Sequence, residues 1–425
     1  MTIESASVPM PWRRNVALFL SGQTVSLFGS MIVQYAVMWY VTVETKSGLA
    51  VALYAVAAFL PQGVVSIFGG VLADRVNRRI LVMTADAVIA AATLVLALLM
   101  MNGVTDLWII VVAVAIRSFG AGFQTPAVSA MIPQLTPPDQ LMRVNGIFQT
   151  INSAMALLAP AAAGVVFGVF GIVPVFFIDV VTAVIGIAIL AFVTVPTLAA
   201  VAEKTTNFRQ DLVEGMRYIW QHDVVRWLLV IFAIVFVLMV APSFVTPLMV
   251  ARTFGDEVWK LTVLEIAFSV GMLLGGVVMS TLLARGNKAT LLLVSTFGFA
   301  VATIGLGLSP TLWVFYGFMF AVGLLVPLFS TPVMTLLQQT VEPDKHGRVF
   351  SYVSIVMALA TPIGIVVFGP LADVISVQAL LVIAGAAMVA VMLIAALVPS
   401  GRRALAVARQ PDPQPDPEPD PEPAP

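Results

Sequence analysis

The sequence has no cysteine, two histidines and charged residues at only 10% of its 425 positions. Without cysteine there is no disulfide, no thiolate metal site and no cysteine nucleophile, and cysteine usage says nothing of the redox compartment. His222 and His346 fall in polar breaks without a second histidine at helical spacing, so no metal site is expected. No Gly-x-x-x-x-Gly-Lys-Ser/Thr loop is present to cradle ATP phosphates, which excludes a P-loop pump. Neither an enzyme nor a cofactor-binding protein is expected. An ordinary soluble domain carries about 25% charged residues. The net charge of −1 gives no sign of a nucleic-acid partner.

Apolar residues, by contrast, make up 60% of the chain, and the mean hydropathy is +1.03. Apolar stretches long enough to span a bilayer recur about twelve times between short polar breaks. They are too long and continuous for barrel strands, so the fold expected is an all-α membrane protein. The run following Arg13 and Arg14 continues to about Val43, longer than the h-region of a signal peptide. The one sizeable polar interruption divides the chain. The expected organisation is a short N-terminus over 1–14, six helices over 15–195, a linker over 196–226, six helices over 227–398 and a tail over 399–425.

Basic residues give the orientation. With the N-terminus cytoplasmic, only Lys46, Arg252 and Lys260 fall on the far side, and the positive-inside rule then puts both termini in the cytoplasm. Within the linker, Phe208, Leu212, Met216, Ile219 and Trp220 share one helical face, which predicts an amphipathic helix on the inner membrane surface. The Pro/acid tail "QPDPQPDPEPDPEPAP" has no means of packing and is expected to be disordered. The halves also echo each other. Segments 125–148 and 331–353 both open on Thr-Pro, carry a Pro-Asp turn at 138/139 and 343/344, and place Arg143 and Arg348 at the same distance after it. A parallel repeat of six helices marks a transporter whose halves rock about a central site.

The stretch "GGVLADRVNRR" (69–79) resembles the signature loop between helices two and three of the major facilitator superfamily, matching it at Gly70, Leu72, Ala73, Asp74, Arg75, Arg78 and Arg79. Asn77 replaces the usual glycine, and asparagine enters the left-handed region more readily than most residues. "RSFGAGF" (117–123) is similar to the helix-four motif of that family, while 264–276 and 344–364 look like its macrolide and multidrug efflux branch. The residues themselves support a related reading. Gly69 and Gly70 suit a close helix approach. Gly70, Asp74, Arg75, Arg78 and Arg79 form a candidate cytoplasmic latch whose ion pairs make and break with conformation, against the simpler role of a positive anchor.

Four charges lie at membrane depth: Asp86, Arg117, Asp179 and Glu265. Any of the acids could carry a proton for coupling. Asp86 could instead belong to the latch and Glu265 could sit at the membrane surface, while the resemblance implies that helix six, and so Asp179, faces outward. Arg117 is too deep to be explained by snorkelling and is expected to face the interior and act on a nearby acid, or else to hold helices together. Gln23, Ser26, Ser30 and Gln34 form a polar stripe on helix one and Gln124 shares a face with Arg117. The resemblance implies that helices one and four line the central cavity, which makes these five the candidate substrate cavity, against the alternative of hydrogen bonds between helices. Asn145, Gln149 and Asn152 form a second stripe on helix five, for helix contacts or substrate.

These features lead to a secondary transporter of the inner membrane, expected as a monomer, that exports amphipathic compounds of macrolide or multidrug type against protons by alternating access. Export of a native metabolite such as a siderophore is the alternative within transport. A channel, scramblase or non-transporting receptor is the alternative outside it.

Overall fold

The computed structural model describes residues 12–195, 208–283, 286–342 and 345–408. They form fourteen α-helices, and no strand occurs among the described residues. The first six are α1 (Trp12–Thr45), α2 (Gly48–Arg75), α3 (Arg78–Met101), α4 (Leu107–Leu135), α5 (Leu141–Phe170) and α6 (Ile172–Ala191). A short α7 (Phe208–Gln221) leads to α8 (Asp223–Met249), α9 (Val258–Thr281), α10 (Lys288–Leu308), α11 (Leu312–Thr340), α12 (His346–Val374), α13 (Val377–Leu397) and a terminal α14 (Pro399–Ala408). Twelve of them, all but α7 and α14, are long and apolar enough to cross a membrane. Even the 20-residue α6 reaches about 30 Å at 1.5 Å per residue, the thickness of the hydrocarbon layer.

Polar side chains start the helices where the apolar runs begin. Ser47, Asn77, Asn287, Thr311 and Ser376 each accept a hydrogen bond from a first-turn amide of α2, α3, α10, α11 and α13. Such a cap is worth about 1 kcal/mol. Asn77 therefore does something other than the left-handed turn expected of it. Its backbone is extended (φ −62°, ψ 110°), and its side chain receives the amides of Arg79 and Ile80. Among the described residues the non-glycine residue that does adopt positive φ is Lys46, at 47°, in the two-residue turn between α1 and α2.

The internal repeat is visible in the packing. In the first set α1 lies on α5 and α6, α2 on α4, and α3 on α4 and α6. In the second α8 lies on α12 and α13, α9 on α11, and α10 on α11 and α13. Advancing every label by seven maps one set onto the other. The two sets meet through α2 against α12 and α5 against α9, a pairing that exchanges the same helices. Glycine permits the closest approaches: a Cβ on Gly69 would stand 2.6 Å from the Gly122 carbonyl oxygen of α4.

Two peripheral helices pack on the second repeat. α7 forms where the amphipathic helix is expected; it docks on the second repeat through Tyr218 and Ile219, while Met216 and Trp220 of the apolar face stay exposed. Tyr218 stacks on His222, ring centroids 3.9 Å apart. The side chains of Phe208 and Leu212 lie outside the described residues. The tail begins as helix: α14 packs on α8 and α13, with Leu405 buried and Arg403 paired to Asp223 at 2.9 Å. These contacts order 399–408, which the Pro/acid composition of the later tail does not report. Residues 409–425 lie outside the described residues.

Candidate functional site

The polar side chains inside the first repeat form two tiers. Asp86 and Thr93 are seven residues apart on α3, as are Arg117 and Gln124 on α4, so each pair projects from one helix face two turns apart, a rise of about 10 Å. Ser26 and Ser30, one turn apart on α1, reach one tier each. In the first tier Asp86, 2% exposed, accepts Ser26 Oγ at 3.0 Å and Gln124 Nε2, both on Oδ1. Its Oδ2 is buried with no hydrogen-bond partner among the described residues. In the second, Asp179 of α6 is fully buried and pairs with the Arg117 guanidinium. It also accepts Ser30 Oγ at 3.0 Å, and Thr93 Oγ1 lies 2.8 Å from its Oδ2. Among the described residues, one buried carboxylate is thus balanced by a cation and the other is not.

A cavity of about 180 Å³ opens on these tiers. Ser30, Gln34, Arg117 and Gln124 line it as expected, with Tyr54 and Gln62 added from α2. Gln23 and Ser26 do not line it. Ser26 is turned onto Asp86, and Gln23, 7% exposed, is buried beside it on α1. Nor does Asp179 face outward, because α6 packs against α1 and α3 and puts it at the centre of the repeat. Asp86 belongs to the polar tier. Glu265 stands apart on α9, half-buried and within electrostatic reach of Tyr35 of α1. On α5, Asn145 and Gln149 are exposed and Asn152 bonds the Phe148 carbonyl of its own helix.

Beside Arg117, Ser118 splices α2. Its Oγ donates to the Ala58 carbonyl at 2.7 Å and accepts the Gln62 amide at 3.0 Å, the two groups a regular helix would bond to each other. Pro61 marks the same place in the sequence.

Of the candidate latch, Arg79 bonds the Val193 and Ala191 carbonyls and Arg78 the Ala130 carbonyl, all within the first repeat. These arginines hold the ends of α4 and α6. The surroundings of Gly70 and the side chains of Asp74 and Arg75 lie outside the described residues.

Residues 7–418 match the family model of transmembrane secretion effectors, MFS_3. The chain belongs to the major facilitator superfamily. It is a multi-pass membrane transporter rather than an enzyme. It is 29% identical over 395 residues to macrolide efflux protein A of Streptococcus pyogenes, covering 92% of this chain and 98% of that one. The Enterococcus faecalis protein of the same name is 31% identical over 310 residues, 72% of this chain and 96% of that protein. Among solved structures, a bacterial homolog of the human lysosomal transporter Spinster, inward-facing and unoccupied, superposes with a TM-score of 0.66 at 16% identity. That superposition covers 95% of this chain and 98% of the other.

In this major facilitator protein the two repeats are bonded to each other at the end carrying the α1–α2 turn. Asp373, at the end of α12, accepts Ser47 Oγ at 2.9 Å and the amides of Gly48 and Leu49 at 2.7 and 2.8 Å, capping α2 across the repeat boundary. Arg252 binds the same carboxylate and donates to the Lys46 carbonyl at 2.8 Å. Lys46 in turn pairs with Asp256 at 2.8 Å and, by that hydrogen bond, holds its carboxyl below the usual carboxylate range. A lowered value means the contact is present at neutral pH and lost as acid protonates Asp256, so acidification weakens this end. The sequence marks Arg252 only as a far-side charge and does not single out Asp373 or Asp256, although "FGPLAD" (368–373) echoes "FGGVLAD" (68–74).

Asp373→Ala should loosen this junction by about 2 kcal/mol, the scale of a lost cap with a charged acceptor. Val51, 5% exposed at the α2–α12 contact, is a clean reporter as Val51→Cys because the chain has no other cysteine. Maleimide labelling there should accelerate on Asp373→Ala, and an unchanged rate would mean that the carboxylate does not hold the junction.

Proposed function

We propose that this transporter exports amphipathic compounds of the macrolide class from the cytoplasm, by proton antiport with alternating access. Its membrane is the plasma membrane, with both termini cytoplasmic. The observation that carries the coupling is the unequal pair of carboxylates. Asp179 is neutralised by Arg117, whereas among the described residues Asp86 has no cation beside it and an unpartnered buried oxygen. A buried carboxylate without a cation is costly to keep ionised, so Asp86 is the position at which a proton is held. Gln124 ties it to transport, because the amide that donates to Asp86 also lines the cavity. A ligand that competes for Gln124 changes what surrounds the proton.

The basic side chains, concentrated at one end of the helices, support the orientation. The names of the macrolide relatives support the substrate class. At about 180 Å³ the cavity is smaller than the roughly 300–1,000 Å³ of drug-sized pockets, so loading a macrolide requires it to widen. The junction at Asp373 is the contact that must part when the site opens toward that end.

Cells expressing the protein should accumulate less radiolabelled erythromycin than controls, and a protonophore should abolish the difference. Flux in energised vesicles that ignores the proton gradient would point to a channel or uniporter. Siderophore export without macrolide export would move the substrate class. Glu265→Gln should leave uphill efflux intact, since Glu265 is not part of either tier. Loss of coupling in that variant, with ligand binding retained, would transfer the proton site to α9.

A further inference from the structure

A second cavity, of about 410 Å³, lies between the beginnings of α1 and α5, away from both carboxylate tiers. Its walls include Val16, Leu20 and Ile147, and its mouth carries Trp12, Arg13 and Arg143. Both arginines are exposed, and neither has an acidic partner among the described residues. Arg13 lies over the Trp12 ring, 5.5 Å from its centroid. The neighbouring acid, Asp139, is hydrogen-bonded by Gln140 at 2.9 Å.

The position of this cavity determines what can fill it. Arg13 is in the first turn of α1 and Arg143 in the first turn of α5, and both membrane-crossing segments begin there. The guanidinium groups therefore stand at headgroup depth with the apolar walls behind them at acyl-chain depth, whichever side of the membrane this end occupies. Water fills an apolar recess poorly, and a hydrocarbon chain alone leaves two cations unbalanced. An amphiphile with an anionic head and an attached chain satisfies both ends, and guanidinium forks match phosphate oxygens in a way that a point charge does not. We propose that the α1–α5 cleft binds an anionic phospholipid, its phosphate held between Arg13 and Arg143 and an acyl chain laid along Val16, Leu20 and Ile147. Bound there, the lipid braces the foot of α1, the helix whose Ser26 and Ser30 hold the two buried carboxylates.

The test is native mass spectrometry of the full-length protein released from mixed micelles of phosphatidylglycerol and phosphatidylcholine. One phosphatidylglycerol should be retained per chain after phosphatidylcholine is lost. Arg13→Gln/Arg143→Gln should weaken that retention about tenfold or more, given the pull of a basic side chain on anionic lipid. Arg13→Lys/Arg143→Lys, which keeps the charge, should hold the lipid better than the glutamine pair. Ile147→Trp, which fills the recess and keeps both arginines, should also lose it. The proposal is overturned if the glutamine pair retains the lipid as wild type does, or if Ile147→Trp binds it undiminished. It is equally overturned if millimolar inorganic phosphate displaces the lipid, since the site would then recognise the anion without its chain.

Discussion

Arg117→Gln is expected to lower the stability of the purified protein by about 3–5 kcal/mol, the cost of leaving one member of a buried ion pair uncompensated. The Asp179 side chain has no exposed surface and that of Arg117 only 11%, so solvent cannot take over the role of the missing guanidinium. Ser30 and Thr93 remain as donors, but each contributes a neutral hydrogen bond rather than a charge. Asp179→Asn alone should be comparably damaging, because it strands the cation instead. Combining the two should recover most of the loss, since the amides of glutamine and asparagine can bond each other, and the cycle of single and double variants isolates the pair energy. Thermal unfolding in detergent measures it. If either single variant melts with the wild-type protein, the pair is not what holds α4 to α6.

The second large effect is functional. Asp86→Asn should reduce uphill efflux to the level of protonophore-treated wild type while leaving ligand affinity nearly unchanged. Asparagine keeps an oxygen for Ser26 and Gln124 but has no proton to exchange at physiological pH. Stability should change little, because no cation is stranded and the orphaned Oδ2 gives way to a neutral amide. Counterflow exchange, which needs binding and movement but no net proton transfer, separates coupling from collapse and should persist. Uphill efflux at the wild-type rate would remove Asp86 from the coupling mechanism.

The fold was legible because lipid imposes one requirement on every segment: an apolar run of about 20 residues that satisfies its own backbone. Run length therefore identified the membrane helices. It identified little of how they face one another, because an almost wholly apolar helix carries no polar face from which to read a direction. Asp179 illustrates this. On the apolar α6 its inward aim comes from packing against α1 and α3, and the family-based expectation of an outward helix concealed it. Where two polar residues share a face, the spacing was informative. Spacing puts Arg117 with Gln124, and Ser30 with Gln34, on shared faces, the resemblance implies that those faces meet a cavity, and all four do line it. The same rule applied to α3 would have picked out Thr93, seven residues beyond Asp86. Asp373 gave a weaker signal, since its donors come from a turn more than three hundred residues earlier in the chain.

The Asp373 junction also constrains how such a transporter can be tuned by mutation. Two of the donors that hold α12 to the first repeat are the main-chain amides of Gly48 and Leu49, which every amino acid except proline supplies. Side-chain variation in the first repeat therefore reaches this contact through few positions, Ser47 chief among them. Gly48 is closed to most change by the Gly369 carbonyl beside it. Heritable adjustment of how readily this end parts is consequently asymmetric. The accessible substitutions lie in the second repeat, at Asp373 and Arg252, so a library selected for faster turnover should enrich changes there and leave the α1–α2 turn nearly untouched.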